Sequence, residues 1–448
     1  MHPWSPSSWR SKSISQGVDY ADPDRLREAV GQLRQLPPLV TSWEVEKLKG
    51  DLALAARGER FLLQGGDCSE TFDDCRPGTI TSKLKILLKM SLCLVYGTRR
   101  QVIRVGRMAG QYAKPRSQQT ETRDGVTLPS YRGLLINKPE FTPESRAPDP
   151  QLLLTGYHHA ALTLNFVRSL IDAGFADLRH PELWDLAFVD YAQQPEDYHR
   201  IMTSIGDSVS FLEAISGHTL GELRRVEFYT SHEGLHLDYE QAQTRQVPRR
   251  SGWYNLTTHL PWIGDRTRNL DGAHVEYFRG IANPIGMKVG PSMQATELIE
   301  LIDTLNPTNE PGRLTLIHRF GAEKIDDLLP PLLDAVRRAE KQVVWCCDPM
   351  HGNTTMTQTG LKTRNFDDIL SELTGAFEIH EAAGTTLGGV HFELTGENVT
   401  ECTGGARGLK EEDLQRDYRT DVDPRLNYEQ AFEMALLIAR HMSRNHRS

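Results

Sequence analysis

Eight short apolar segments, each ending in a cluster of charged or metal-capable residues, constrain this 448-residue chain more than any other feature. They cover residues 61–68, 101–107, 225–233, 254–265, 285–289, 314–319, 343–351 and 389–393. Each has the length and the β-branched or aromatic content of a strand. Stretches with helical spacing separate them, which is the pattern of repeated βα units around a parallel sheet. Eight such units predict a closed (β/α)8 TIM barrel, in which the carboxyl ends of the strands and the loops that follow carry the chemistry.

A barrel of this kind needs about 250 residues, so the chain has room for additions. Residues 1–55 read as an N-terminal extension, with a helical pattern over 24–36 and a helix over Ser42–Ala56 entering the barrel; residues 56–448 form the catalytic barrel. More than 100 residues separate the second and third segments, too many for one crossover. They predict an insertion after strand 2: a polar loop over 118–150, then extra helices over about 150–223 with breaks at Pro181 and Gly206. Those helices suit subunit contacts or a regulatory site. A final helix over 428–442 shows the apolar stripe Phe432, Ala435, Leu436 and Ala439.

The net charge of −9 argues against a nonspecific nucleic-acid binder, whose affinity comes from excess Lys and Arg. No apolar run reaches the roughly 20 residues of a membrane helix, and residues 1–15 lack an apolar signal core. The six cysteines lack CxxC spacing and do not form a disulfide framework. A cytoplasmic protein without a membrane is expected.

In the eighth segment Val390, Phe392 and Leu394 alternate with His391 and Glu393, so the apolar set suits the outer helix layer and the polar pair the barrel interior. A carboxylate there needs a partner. Cys68, His351 and Asp423 stand at or beyond other strand ends, and with Glu393 they make a mixed sulfur, nitrogen and oxygen set suited to one divalent Mn, Co, Fe or Zn ion. His391 reads as a supporting histidine. A second constellation is cationic: Arg107, Lys114, Arg116, Arg266, Arg268, Lys288 and Arg319. Such a ring in an acidic protein points to a substrate with several negative charges.

Gly65-Gly-Asp-Cys68-Ser-Glu, Gly110-Gln-Tyr-Ala-Lys-Pro-Arg-Ser117, Trp262-Ile-Gly-Asp-Arg-Thr-Arg268, Asp348-Pro-Met-His-Gly-Asn353, Glu393-Leu-Thr-Gly-Glu-Asn-Val-Thr-Glu-Cys402 and Asp423-Pro-Arg-Leu-Asn427 together resemble the signatures of the type II 3-deoxy-D-arabino-heptulosonate 7-phosphate (DAHP) synthases. The resemblance runs in order over nearly the whole chain. It implies a (β/α)8 barrel with an N-terminal extension and added helices, and 3-deoxy-7-phosphoheptulonate synthase activity. That reaction is an aldol-like condensation of phosphoenolpyruvate with erythrose 4-phosphate that releases phosphate, the first step of the shikimate pathway to chorismate and the aromatic amino acids.

The resemblance implies that Cys68, His351, Glu393 and Asp423 hold the metal, with manganese or cobalt favoured. It assigns Arg107, Asp265, Arg266, Lys288 and Arg319 to phosphoenolpyruvate and Lys114, Arg116 and Ser117 to erythrose 4-phosphate, with Lys114 a candidate acid toward the aldehyde oxygen. The family more often has glutamate at the position of Asp265. Val422 stands where some relatives have a cysteine able to pair with the ligand cysteine, so no redox bridge is expected. Feedback by an aromatic amino acid, tryptophan favoured, at helices over 164–223, a homodimer or homotetramer, and chorismate mutase as a partner are further implications. A synthase using a different phosphosugar, or a catalytically silent sugar-phosphate sensor, would share the barrel and the cations; a sensor would be free to lose a metal ligand, and all four positions are filled.

Overall fold

The structure, a computed structural model, describes residues 3–173, 189–191, 195–216 and 226–445. Eight parallel strands close into a barrel: β1 (Arg60–Gly66), β2 (Gln101–Arg107), β3 (Tyr229–Glu233), β4 (Leu260–Ile263), β5 (Ile285–Val289), β6 (Leu314–His318), β7 (Val344–Cys347) and β8 (Leu387–Glu393). They neighbour one another in chain order, and β1 closes the ring, with Leu62 opposite both Ile103 of β2 and Gly389 of β8. Every expected strand segment therefore contributes to the barrel.

Their bounds differ in instructive ways. The fourth segment splits: Tyr254–Asn255 pairs antiparallel with Thr244–Arg245, and only Leu260–Ile263 enters the barrel. The break falls where Asn255 Nδ2 and Thr257 Oγ1 donate to the buried Glu240 carboxylate, at 2.6 and 2.7 Å. The seventh strand stops at Cys347, and His351 opens a short 3-10 turn, His351–Asn353. Within the expected polar loop, Thr120–Arg123 and Val126–Pro129 form a hairpin whose Asp124-Gly125 turn has φ of 48° and 81°, the left-handed pair that Asp-Gly favours. Gly206 does not break a helix; it lies inside Pro195–Ser216, tolerated at a cost of about 1 kcal/mol. Pro181, and Arg225 at the start of the third segment, lie outside the described residues.

The barrel is plugged at its amino end by the helix Ser42–Ala56, which starts in a capping box between Thr41 and Glu44. Leu48, Leu52 and Ala55 pack there against inward Leu62, Ile103, Val105, Leu260, Ile317 and Val344. The opposite strand faces look outward: Val390, Phe392 and Leu394 share a core with Phe432, Ala435 and Leu436 of the final helix, Tyr428–Asn445. That helix crosses Pro77–Thr98 so closely that a Cβ on Gly97 would lie 2.2 Å from Ala439 Cα. We expect Gly97→Val to destabilise the fold by about 3 kcal/mol through overpacking against backbone, read as a lower urea midpoint. Among the described residues, no helix is long and apolar enough to cross a membrane, and the six cysteines are free.

Candidate active site

The carboxyl ends of the strands bring the sequence-predicted ligand residues together. Cys68 follows β1, Glu393 ends β8, Asp423 lies in the loop beyond it and His351 in the turn after β7. One donor atom each from Cys68, Glu393 and Asp423 lie within 4.8 Å of one another, and His351 Nε2 is 3.1 Å from Glu393 Oε1. His351 Nδ1 is 2.7 Å from Asp348 Oδ2, which directs Nε2 toward the cluster, the arrangement common to metal-binding histidines.

The electrostatics show what keeps the cluster's carboxylates charged. Burial and the Glu393 charge push the Cys68 thiol up. Burial would also raise the Glu393 carboxyl, but His351, Arg364 and Arg107 outweigh it and hold the group well below the usual carboxylate range. For Asp423, burial and the Glu393 charge would raise the carboxyl, but Lys114, Arg364 and His351 together outweigh them and hold it low. Two carboxylates and a thiol at this spacing need positive charge among them. The Lys114 ammonium sits there, in contact with Cys68 Sγ and Asp423 Oδ2. A mixed donor set gathered around a cation suits a divalent transition ion.

A buried frame holds the donors. Arg364, fully buried, donates to Glu393 Oε2 at 2.7 Å and to the Pro424 carbonyl, tying β8 to the Asp423 loop. Arg425 secures that loop further, at 2.8 Å from Asp67 and 2.7 Å from Glu401. Arg107 donates to Glu393 Oε1 at 3.0 Å and pairs with His391 Nε2 at 2.7 Å; His391 Nδ1 meets Gln64 Oε1 at 2.8 Å, and Gln64 donates to Ser231 at 3.0 Å. Burial, with Lys288 and Arg107 nearby, keeps His391 neutral, so Nε2 accepts from Arg107 and Nδ1–H donates to Gln64. This chain links the neighbouring strands β8, β1, β2 and β3 and fixes the Arg107 guanidinium. We expect His391→Leu to fold but to lose about 10–100-fold in kcat/KM, the usual cost of a supporting partner, as steady-state kinetics would show.

Five of the expected cations line the same pocket: Arg107, Lys114, Arg266, Lys288 and Arg319, together with Gln111, Glu233, Trp262 and Asp265. Lys288 points inward, paired with Asp348, while Met287 and Val289 join the outer core. Asp265 grips Arg319 and Arg268 at 3.0 Å each. It holds Arg319 in the pocket wall, where Arg319 Nε, like Arg107 Nε, has no hydrogen-bond partner among the described residues. Arg268 instead turns to Glu297 at 2.5 Å and Ser292 at 2.9 Å and is absent from the pocket lining. Arg116 and Ser117 lie beside the pocket: Arg116 pairs with Glu121 at 3.1 Å, and Ser117 Oγ accepts from Arg266 at 2.7 Å. Val422 packs with Cys68 and Tyr131 in a small apolar cluster.

Four residues of the site escape a sequence reading. Asp348 orients His351, and Arg364 bridges two donor segments. Glu70 accepts from the backbone N–H groups of Ala109, Gly110 and Gln111 at 3.0, 3.0 and 2.9 Å, holding the loop that carries Lys114, where Ala109 has φ of 60°. Glu233 ends β3 in the pocket wall; burial lifts its carboxyl to about 7 despite the nearby cations, and its Oε1 is buried without a hydrogen-bond partner among the described residues. Only Glu233, at a strand end, and Asp348, three residues before His351, left a signal in the sequence.

Comparison with known proteins places the sequence in a family. The sequence model of the Class-II DAHP synthetase family matches residues 4–439. The chain is 46% identical to a phospho-2-dehydro-3-deoxyheptonate aldolase of Neurospora crassa, over 98% of this chain and 94% of that protein. It is 47% identical to the protein of that name from Streptomyces coelicolor, over 97% and 96%, and 44% identical to one from Mycolicibacterium smegmatis, over 93% and 90%. By its motifs, its barrel and these relatives, the chain belongs to the class-II DAHP synthetase family.

Proposed function

We propose that the protein condenses phosphoenolpyruvate with erythrose 4-phosphate to give DAHP and inorganic phosphate, as the names of its relatives suggest, and that it does so with one divalent ion held by Cys68, His351, Glu393 and Asp423. The observation that carries this reading is the meeting, in one pocket, of that donor set with the cations Arg107, Lys114, Arg266, Lys288 and Arg319. Manganese or cobalt is the favoured ion. When bound, it would supply Lewis-acid polarisation of the aldehyde oxygen.

The chain's own groups do the rest. Arg107, Lys288 and Arg319, with Arg266 and the clamp from Asp265, hold the phosphate and carboxylate of phosphoenolpyruvate and place its C3 against the aldehyde carbon. Lys114, with Arg116 and Ser117 at the pocket edge, receives erythrose 4-phosphate; Lys114 carries a proton that it can give to the aldehyde oxygen as the carbon–carbon bond forms. Water then adds to C2. Glu233, an ionisable carboxyl in the pocket wall, takes the proton of that water, and the hemiketal phosphate expels inorganic phosphate.

The test is direct. Purified protein is mixed with both substrates and Mn, and loss of phosphoenolpyruvate is followed together with the appearance of DAHP and phosphate. Expected is turnover that chelator stops and Mn restores. No product under these conditions sinks the proposal, and another phosphosugar accepted in place of erythrose 4-phosphate would favour a different synthase. Cytoplasmic action, a homodimer or homotetramer, partnership with chorismate mutase and feedback by an aromatic amino acid, tryptophan foremost, belong to the same proposal. The effector region over 164–223 is described only in part.

A further inference from the structure

On the outer side of the barrel, away from the pocket, a second group of donors is buried. His318 ends β6 and stands opposite Cys347 of β7. Ile317 and Cys346, their neighbours in sequence, belong to the inner core, so His318 and Cys347 face the helix layer. From that layer the helix Phe366–Ala382 brings in Glu372. One donor atom from each of the three lies within 4.8 Å of the others, and all three residues are fully buried.

Neither ring nitrogen of His318 has a hydrogen-bond partner among the described residues. The ring is walled by Phe320 and Trp345, with centroids 5.8 and 6.3 Å away. An imidazole with two polar atoms unsatisfied in an apolar wall is costly. Glu372 is held rigidly: Oε1 accepts from Phe320 N at 2.7 Å and Oε2 from Asn353 Nδ2 at 2.8 Å, which leaves each oxygen a further lone pair. Beside them lies His380, whose centroid is 6.0 Å from that of His318; its Nδ1 is 2.8 Å from Thr385 Oγ1, and its Nε2 has no hydrogen-bond partner among the described residues.

We propose that His318, Cys347 and Glu372 form a second, structural metal site that binds a zinc-class divalent ion, with His380 Nε2 the candidate for the fourth position. The donors fit the ion in kind: imidazole, thiolate and carboxylate are the ligands of closed tetrahedral zinc sites. They also fit in charge. A dication with one thiolate, one carboxylate and neutral imidazole is neutral overall, as an apolar interior requires. The thiol proton, and the carboxyl proton that burial favours on Glu372, leave to solvent as the ion binds. The site shares no residue with the active-site donors, and its ion would pin β6 and β7 to the helix rather than touch substrate.

The experiment uses the full chain produced in cobalt-supplemented medium, with Cys68→Ser to remove the active-site thiolate. Metal content and the near-ultraviolet cobalt–thiolate band are measured in Cys68→Ser alone and combined with Cys347→Ser or His318→Gln. Expected is about one cobalt per chain with a thiolate band in Cys68→Ser, and loss of that band in the Cys347→Ser combination. The His318→Gln combination should lose or shift it. Cys68→Ser protein without a thiolate band, whether metal-free or not, overturns the proposal, as does a band that survives Cys347→Ser. Because Cys68→Ser alone already decides the question, misfolding of a double variant does not obscure it. Loss of turnover in Cys68→Ser with the band intact would leave this site standing apart from the catalytic reading.

Discussion

Replacing Cys68, a ligand in the proposed metal set, with serine is expected to lower kcat/KM by at least about a thousandfold at fixed Mn, because Lewis-acid stabilisation is worth several kcal/mol and each 1.4 kcal/mol is tenfold in rate. The change is nearly isosteric at a residue 2% exposed, so the fold should survive it. What changes is the donor set. A hydroxyl does not ionise as a thiol does, and three ligands hold the ion more weakly than four. Lys114 would then compete better for the place, since the two carboxylates that attract it remain. Metal content and turnover, measured with circular dichroism as a fold control, give the result. A Cys68→Ser protein within tenfold of wild type would show that the thiolate is not a ligand that matters.

The barrel was legible because its signal is local: short apolar runs ending in polar residues, spaced by helical stretches. The alternation in β8 placed Val390 and Phe392 outside and Glu393 within from sequence alone. Bounds failed where side chains far along the chain decide them, as where Glu240 draws Asn255 and Thr257 out of the fourth strand. The same holds in the site. Its candidate donors and cations sit at strand ends or in the loops that follow them, where the sequence marks them. The buried partners that aim them, Arg364, Gln64 and Glu70, look like ordinary polar residues until the strands close. Arg268 shows the converse error, for it shares a motif with Asp265 and Arg266 but is spent on Glu297 and Ser292.

Glu233→Gln tests the least obvious of these residues and should lower kcat/KM by about 10²–10⁴-fold, the range for a lost general base. The wild-type carboxyl sits near 7, lifted chiefly by burial. Below that pH it is protonated and cannot accept the proton of water; above it the carboxylate is free to do so. The profile of kcat/KM, which reports the free enzyme, should therefore rise through pH 7 in wild type and lose that limb in Glu233→Gln. A limb that persists in the variant belongs to substrate or to another group and sinks the assignment. Stability supplies a second sign. A carboxyl whose folded value lies above its unfolded one of about 4.5 binds more protons when native, so it costs stability as pH rises from about 4.5 to 7. By pH 8 that cost is on the order of 3 kcal/mol, and a neutral amide avoids it. Urea unfolding at pH 5 and pH 8 should show Glu233→Gln gaining on wild type at the higher pH, a gain in stability at the position where activity is lost.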